Sequence, residues 1–371
     1  MILNDNTHRG YYLCGSKIFY NKFQAILYAQ NNNCGVEFQF NDDLFSQHNW
    51  TLEPTTSLDQ LYAKRARELR DRYDYLVLHF SGGYDSGNIL ETFVKNNIHI
   101  DEIYIRGSAS TSVNQYTNTS SANQYAEIKL IANPLAEYVK EHYMPHVKIT
   151  IQDIVSHVID HWSNNTNWID TLDIADFSPS TIIKTTLDEL NTDYKKLTNA
   201  GKTVAHILGM EKPDIYYADG QYYTRFLDKF SAVHIPHRSD KYELPLHLEP
   251  FYWAPSCAEM IIKQCHVIKN YVKAQRLNPH TIFKMQGTEK HHFLGKIIYN
   301  RTFPMPFYPD KSSTEIREPD YFFFKDSNAS YYQNWKKGID YIRASLPSQW
   351  VHDSVAHGIT GIYSKSYCIG E

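Results

Sequence analysis

The stretch Leu76-Val77-Leu78-His79-Phe80-Ser81-Gly82-Gly83-Tyr84-Asp85-Ser86-Gly87-Asn88-Ile89-Leu90 constrains the fold of this chain more than any other. An apolar run stops at a pair of glycines, and Ile89, Leu90, Phe93 and Val94 then recur at helical spacing, which predicts strand, tight loop and helix. Such a junction is an anion site. The first N–H groups of a helix have no partner within it, and the helix dipole favours negative charge there. Gly82 and Gly83 let a ligand approach the backbone, and the Ser81 and Ser86 hydroxyls add hydrogen bonds to phosphate oxygens. Asp85 is the odd member of the loop. A carboxylate beside phosphate is repelled unless a cation bridges the two, so a magnesium ion (Mg2+) between Asp85 and the phosphates is expected.

Ser81 to Ser86 also reproduce the SGGxDS signature of the PP-loop ATP pyrophosphatases, and the chain resembles that superfamily, in particular its asparagine synthetase-like branch. A Walker A loop would end in Gly-Lys-Ser/Thr, which is absent here. The resemblance implies that Ser81, Gly82, Gly83, Tyr84, Asp85 and Ser86 grip the pyrophosphate of ATP while a substrate oxygen attacks the α-phosphorus to form an adenylate. Against this stands the plain reading of the six residues as a structural turn.

Composition narrows the class. No apolar run approaches the roughly 18 to 20 residues needed to cross a bilayer, so no membrane association is expected. The start, Met1-Ile2-Leu3-Asn4-Asp5, lacks the basic and apolar regions of a signal peptide. A formal net charge of −4 argues against a protein that coats nucleic acid. Cys14, Cys34, Cys257, Cys265 and Cys368 form no CxxC pair, which suits a reducing cytoplasm and predicts neither a zinc ribbon nor a disulfide framework. The 29 tyrosines predict half-buried positions or pocket walls, where an apolar ring and a polar tip are both useful.

Along the chain, residues 1–56 read as a small α+β appendage, 57–215 as a nucleotide-binding α/β domain, and 216–371 as a helical, aromatic-rich substrate or cap region. The expected fold class is α/β, with a doubly wound, mostly parallel sheet of the PP-loop or HUP type. Ser57 to Arg72 is a capped helix whose charges, Lys64, Arg65, Arg67, Arg70 and Arg72, read as a solvated face. A second strand ends at Ile105-Arg106-Gly107. Open parallel sheets bind ligands at the carboxyl ends of their strands, so this segment is expected against the adenine and ribose, with Arg106 either reaching a phosphate or lying at the surface. The polar stretch 108–123 is expected to form a loop over that mouth.

A further strand over 203–208 closes on Gly209-Met210-Glu211-Lys212-Pro213. In the superfamily a later loop completes the pyrophosphate clamp, often with a lysine, and Lys212 is placed for that role; the alternative is a turn lysine before a proline. Four histidine pairs, His142/His146, His157/His161, His234/His237 and His291/His292, lack a third ligand, and surface or core roles are expected for them. Cys257 and Cys265 read as buried small apolar residues. The glutaminase domain of asparagine synthetases carries a cysteine directly after the initiator methionine, where this chain has Ile2, so ammonia or an amine is expected in place of glutamine.

The function expected is therefore an ATP-dependent ligase or amidotransferase-like enzyme that joins an amine to a small-molecule acceptor and releases AMP and pyrophosphate. Asp85 and Lys212 are its expected catalytic residues. Two alternatives stand beside it: modification of a nucleobase in nucleotide, tRNA or DNA, and a nucleotide-binding module without turnover. Asp85→Ala is expected to abolish turnover with the fold intact.

Overall fold

A computed structural model describes residues 10–107, 128–153, 155–166, 177–179, 192–209, 212–228, 246–285, 287–303, 323–324, 326–351 and 358–371. The chain opens with an antiparallel sheet in the order β2-β1-β3, formed by β1 (Tyr11–Cys14), β2 (Lys17–Phe19) and β3 (Glu37–Gln39). Helix α1 (Lys22–Asn32) connects β2 to β3; the Asn21 side chain accepts the Gln24 N–H at its start, and Asn33, in the left-handed region, ends it. A single turn, α2 (Asp42–Phe45), follows. This unit is joined to distant parts of the chain. Phe45 stacks on Phe226 with ring centroids 5.0 Å apart, Trp50 stacks on Tyr367 at 4.5 Å, and Lys22 pairs with Asp228 at 2.7 Å with neither side chain exposed.

Helix α3 (Leu58–Arg72) has the expected start, a capping box in which the Ser57 hydroxyl accepts the Gln60 N–H while the Gln60 side chain accepts the Ser57 N–H. One expectation for it fails. Arg65 is only 2% exposed, and its guanidinium donates to Glu249 at 2.7 Å and to the Pro250 carbonyl at 3.1 Å. Its position on the same helix stripe as Leu61, Tyr62 and Leu69 decided this: the stripe faces the core, and a carboxylate from another strand compensates the buried charge.

The central sheet contains β4 (Tyr75–His79), β5 (Glu102–Gly107), β6 (Lys148–Asp153), β7 (Val204–Leu208) and, from beyond a hairpin, β10 (Leu246–Pro250). Its order is β10-β7-β4-β5-β6, and every pairing is parallel. The chain therefore moves outward from β4 through β5 to β6, then returns to the other side of β4 for β7 and β10. The chain reverses direction at the boundary between β4 and β7, which are hydrogen-bonded neighbours; this is the switch point, and open parallel sheets take ligands in a crevice at the carboxyl ends of their strands there.

Helices cover both faces of this sheet. Leu76, Leu78, Ile103, Ile105, Ala205 and Ile207 join one core with Ile89, Leu90 and Phe93 of α4 (Tyr84–Lys95) and with Leu135, Ala136 and Val139 of α5 (Asn133–His142). On the other face, after α6 (Val155–Asn164), Tyr194 of α7 (Thr192–Asn199) packs on Val77, Tyr104 and Val204. That second face is partly polar. Glu102 is fully buried and accepts from the hydroxyls of Tyr75 at 3.0 Å and Tyr194 at 3.1 Å.

The hairpin is β8 (Asp214–Ala218) and β9 (Gln221–Arg225), turning at Asp219 and Gly220, both with positive φ as an Asp-Gly two-residue turn requires. A long helix, α8 (Ala258–Ala274), is preceded by one 3-10 turn over Pro255–Cys257. Then come α9 (Pro279–Lys284), α10 (Gly287–Ile298) and α11 (Ser330–Ser345). The final strand, β11 (Tyr367–Gly370), pairs with β9.

All five cysteines are free thiols, and burial pushes Cys265 up to about 12, far from a nucleophile's range. Among the described residues no helix is long and apolar enough to cross a membrane, and no group of three or more His, Cys, Asp or Glu is placed to hold a metal. The expectations for Ile2, 108–123, Met210, Glu211, His234 and His237, and for the side chains of His157 and His291, lie outside the described residues.

Candidate functional site

β4 ends at His79, and after two residues of loop the chain turns at Gly82, whose φ of +77° suits only glycine. The close approach of a neighbour demands glycine a second time. A Cβ at Gly82 would lie 3.0 Å from Ile131 Cγ2 and 3.1 Å from the Ala132 nitrogen. Those residues end a π-helical turn, Ile128–Ala132, that leads into α5. The loop is tied to itself by serines: the Ser81 N–H donates to Ser86 Oγ at 3.2 Å, the two hydroxyls lie 3.3 Å apart, and the Gly83 N–H reaches Ser81 Oγ at 3.3 Å. Gly83 is the N-cap of α4, so no side chain caps the first-turn amides. This geometry suits an anion, which would meet uncapped amides, two hydroxyls and the positive end of a helix dipole.

Lys212, four residues past the end of β7, meets Asp85. The Lys212 ammonium donates to Asp85 Oδ1 at 2.7 Å and to Oδ2 at 2.8 Å, and the lysine side chain is 3% exposed against 24% for the aspartate. Two residues joined in sequence analysis only by an expected role, 127 positions apart, are thus in direct contact. Two tyrosines complete the cluster. The Tyr299 hydroxyl, just past α10, donates to Asp85 Oδ1 at 2.6 Å, and the Tyr252 hydroxyl, just past β10, donates to the Asp85 carbonyl at 2.9 Å. Burial and the neighbouring Asp85 charge push Tyr299 well above the ordinary phenol value, and burial with the neighbouring Tyr62 and Asp85 does the same for Tyr252. Both hydroxyls therefore keep their protons and donate.

Three glycines bring the surrounding elements this close. A Cβ at Gly295 of α10 would lie 3.2 Å from the Tyr84 ring and 3.3 Å from Lys212 Cε, and one at Gly87 would lie 2.4 Å from the Arg301 guanidinium. At Gly209 it would lie 2.9 Å from the Ser86 nitrogen and 3.0 Å from Ser86 Cα, where backbone has nowhere to go. Gly209→Ala is expected to displace the loop, with a loss of about 1–3 kcal/mol in stability from overpacking. Urea unfolding checks this, and a wild-type midpoint would show that the loop does not need the contact.

Behind the loop, Glu91 of α4 is 1% exposed and accepts from the N–H groups of Thr302 at 2.7 Å and Phe303 at 3.2 Å and from Arg301 at 3.2 Å, with Lys95 3.0 Å away. Burial works against ionisation, but the Thr302 amide, Lys95 and Arg301 together hold this carboxyl below the ordinary glutamate value. The linkage sign follows. The unfolded chain takes up the proton first as pH falls, so Glu91 stabilises the fold above the ordinary glutamate value, and that stabilisation is lost as pH drops through the lower folded value. Glu91→Gln is expected to flatten the acid limb of a stability–pH curve measured by urea unfolding; an unchanged limb would rule this out.

Of the residues singled out in the second strand, Ile105 is fully buried in the α4 and α5 core, so its side chain does not line the crevice. Arg106 stands at the strand end with its guanidinium 5.8 Å from the centre of the Tyr104 ring, and Gly107 closes the strand opposite Asp153. The sequence analysis missed Tyr252, Tyr299, Arg301 and Glu91. Their contacts with the loop span 167 to 218 positions, or run through a helix residue with no motif around it, so the surplus of tyrosines was the only available signal.

A divalent cation passes a limited test of fit. The Lys212 ammonium already sits against both carboxylate oxygens of Asp85, so a cation position faces that carboxylate. Magnesium commonly takes one or two carboxylates and completes its shell with phosphates and water. One carboxylate is therefore enough where other oxygens complete the shell and the ammonium gives way. Compared with protein-family models and with curated proteins, the sequence matches none.

Proposed function

We propose that this chain is an ATP-dependent, AMP- and pyrophosphate-forming enzyme of the PP-loop type that adenylates a small-molecule acceptor and joins it to ammonia or an amine. One observation carries the reading: the Ser81–Ser86 loop stands at the switch point of an all-parallel sheet, with the Lys212 ammonium on Asp85. A substrate oxygen attacks the α-phosphorus, the bond to the bridging oxygen breaks, and pyrophosphate leaves; the amine then displaces AMP. The loop amides and the Ser81 and Ser86 hydroxyls hold the departing phosphates, and Lys212 neutralises charge that grows on them. When bound, magnesium would supply further neutralisation of the triphosphate.

A second reading, with a nucleobase as acceptor, is favoured by the hairpin that begins two residues after Lys212. Tyr216 and Tyr223 stack with centroids 5.2 Å apart and 14° between planes, and the Arg225 guanidinium lies 4.9 Å from the Tyr216 ring and 3.4 Å from that of Tyr363. Aromatic rings beside arginine on a sheet suit the faces of bases.

Incubation with α-phosphate-labelled ATP and magnesium separates the readings. AMP formation that depends on an amino acid or another small carboxylate, with ammonia consumed, is the expected result. Dependence on nucleotide or nucleic acid would establish the second reading, and binding without AMP under any of these additions would overturn both.

A further inference from the structure

The geometry points to Tyr299 as a positioning residue that holds the Asp85 carboxylate in the orientation needed to receive a divalent cation, an inference that rests on the ATP reading above. Asp85 is held at two places by residues from distant parts of the chain. Its carboxylate accepts the Tyr299 hydroxyl at 2.6 Å, and its carbonyl accepts the Tyr252 hydroxyl at 2.9 Å.

Tyr299 is itself fixed. It is 5% exposed, its ring centre lies 5.3 Å from that of Tyr252, and the preceding carbonyl, of Ile298, accepts the Tyr62 hydroxyl at 3.1 Å. Tyr62 in turn accepts from the Gln264 side chain at 3.1 Å, so α3 and α8 anchor the residue next to Tyr299. A rigid donor at the end of such a chain removes rotational freedom from the carboxylate it meets.

Lys212 differs from Tyr299 in what happens when phosphates arrive. Its flexible stem and ammonium let it leave Asp85 for a phosphate oxygen, whereas the Tyr299 ring is buried against those of Tyr62 and Tyr252. Tyr299 also bonds Oδ1 alone, which leaves Oδ2 free to accept a cation once Lys212 has moved. A hydrogen bond to a metal-binding carboxylate from an outer residue contributes about 10–100-fold in metal affinity.

The test is a manganese titration followed by electron paramagnetic resonance, with α,β-methylene-ATP present, on the wild-type chain, Tyr299→Phe, Tyr252→Phe and Asp85→Asn. Tyr299→Phe keeps the ring and loses only the hydroxyl. Its manganese affinity should fall about 10–100-fold. Its urea unfolding midpoint and its affinity for the analogue without metal should stay near wild type, which a merely structural role would not allow. Tyr252→Phe, which releases the Asp85 carbonyl and the Asn88 side chain but leaves the bonds to the carboxylate, should lose far less. Wild-type manganese affinity in Tyr299→Phe, or an equal loss in both tyrosine variants, overturns the inference while leaving the ATP reading in place. Wild-type manganese affinity in Asp85→Asn overturns it too, by removing the cation from Asp85. Failure of the wild-type chain to bind the analogue at all would instead overturn the ATP reading, and the inference with it.

Discussion

Lys22→Met is expected to cost the fold about 3–5 kcal/mol, the range for removing one member of a buried ion pair. The ammonium of Lys22 and the carboxylate of Asp228 lie 2.7 Å apart with both side chains at 0% exposure. Asp228 also accepts the Tyr12 hydroxyl at 3.0 Å and the Ile362 N–H at 3.0 Å. Methionine fills nearly the same volume, so packing is kept while the carboxylate loses the ammonium 2.7 Å away. Three separate stretches, the first sheet with α1, the end of the hairpin and the C-terminal segment, meet at that carboxylate. The loss should therefore appear in the global transition, as a lower urea midpoint with unchanged slope. A change below about 1 kcal/mol, the range of an exposed pair, would show that water reaches the site.

Asp85→Ala is expected to remove turnover, with a loss of more than about 100-fold, and the structure adds a second consequence that sequence analysis did not foresee. The substitution leaves the Lys212 ammonium, on a side chain only 3% exposed, and the Tyr299 hydroxyl without their shared acceptor. A stability loss of about 1–3 kcal/mol should accompany the loss of activity. A double variant distinguishes the two effects. Asp85→Ala with Lys212→Met should recover most of the stability, because the stranded charge is gone, while turnover stays absent. Assays of AMP release and urea unfolding on the same preparations check both. Wild-type AMP release in Asp85→Ala would sink the role assigned to the loop.

The contrast between Ser57 and Arg65 shows what is legible in a sequence. The capping box at Ser57 and Gln60 is a contact between residues three apart, so its signal is local and the helix start is readable directly. Arg65 carries two opposed local signs, a place on the helix stripe of Leu61, Tyr62 and Leu69 and a charge within a basic run. A charged residue within a basic run reads as solvated until Glu249, 184 positions away, is known to stand opposite. The central sheet divides in the same way. The strand, loop and helix around Ser81–Ser86 follow from periodicity and glycine placement, but β10, which pairs with β7, lies outside the 57–215 span read as the nucleotide-binding unit.

By itself the sequence determined the loop and its local geometry: an apolar strand, a glycine pair of which Gly82 takes the positive φ and the close approach that exclude other residues, and a helix whose first amides have no partner within it. These are properties of neighbouring residues, set by sterics and by the hydrogen-bonding needs of a helix end. Only the tertiary structure decided what Asp85 faces. Its partners, Lys212, Tyr252 and Tyr299, are 127, 167 and 214 positions away. Contacts at that separation exist because the order β10-β7-β4 places the ends of nonconsecutive strands side by side, and a burial cost has to be met by whichever hydroxyls and charges the packing brings there.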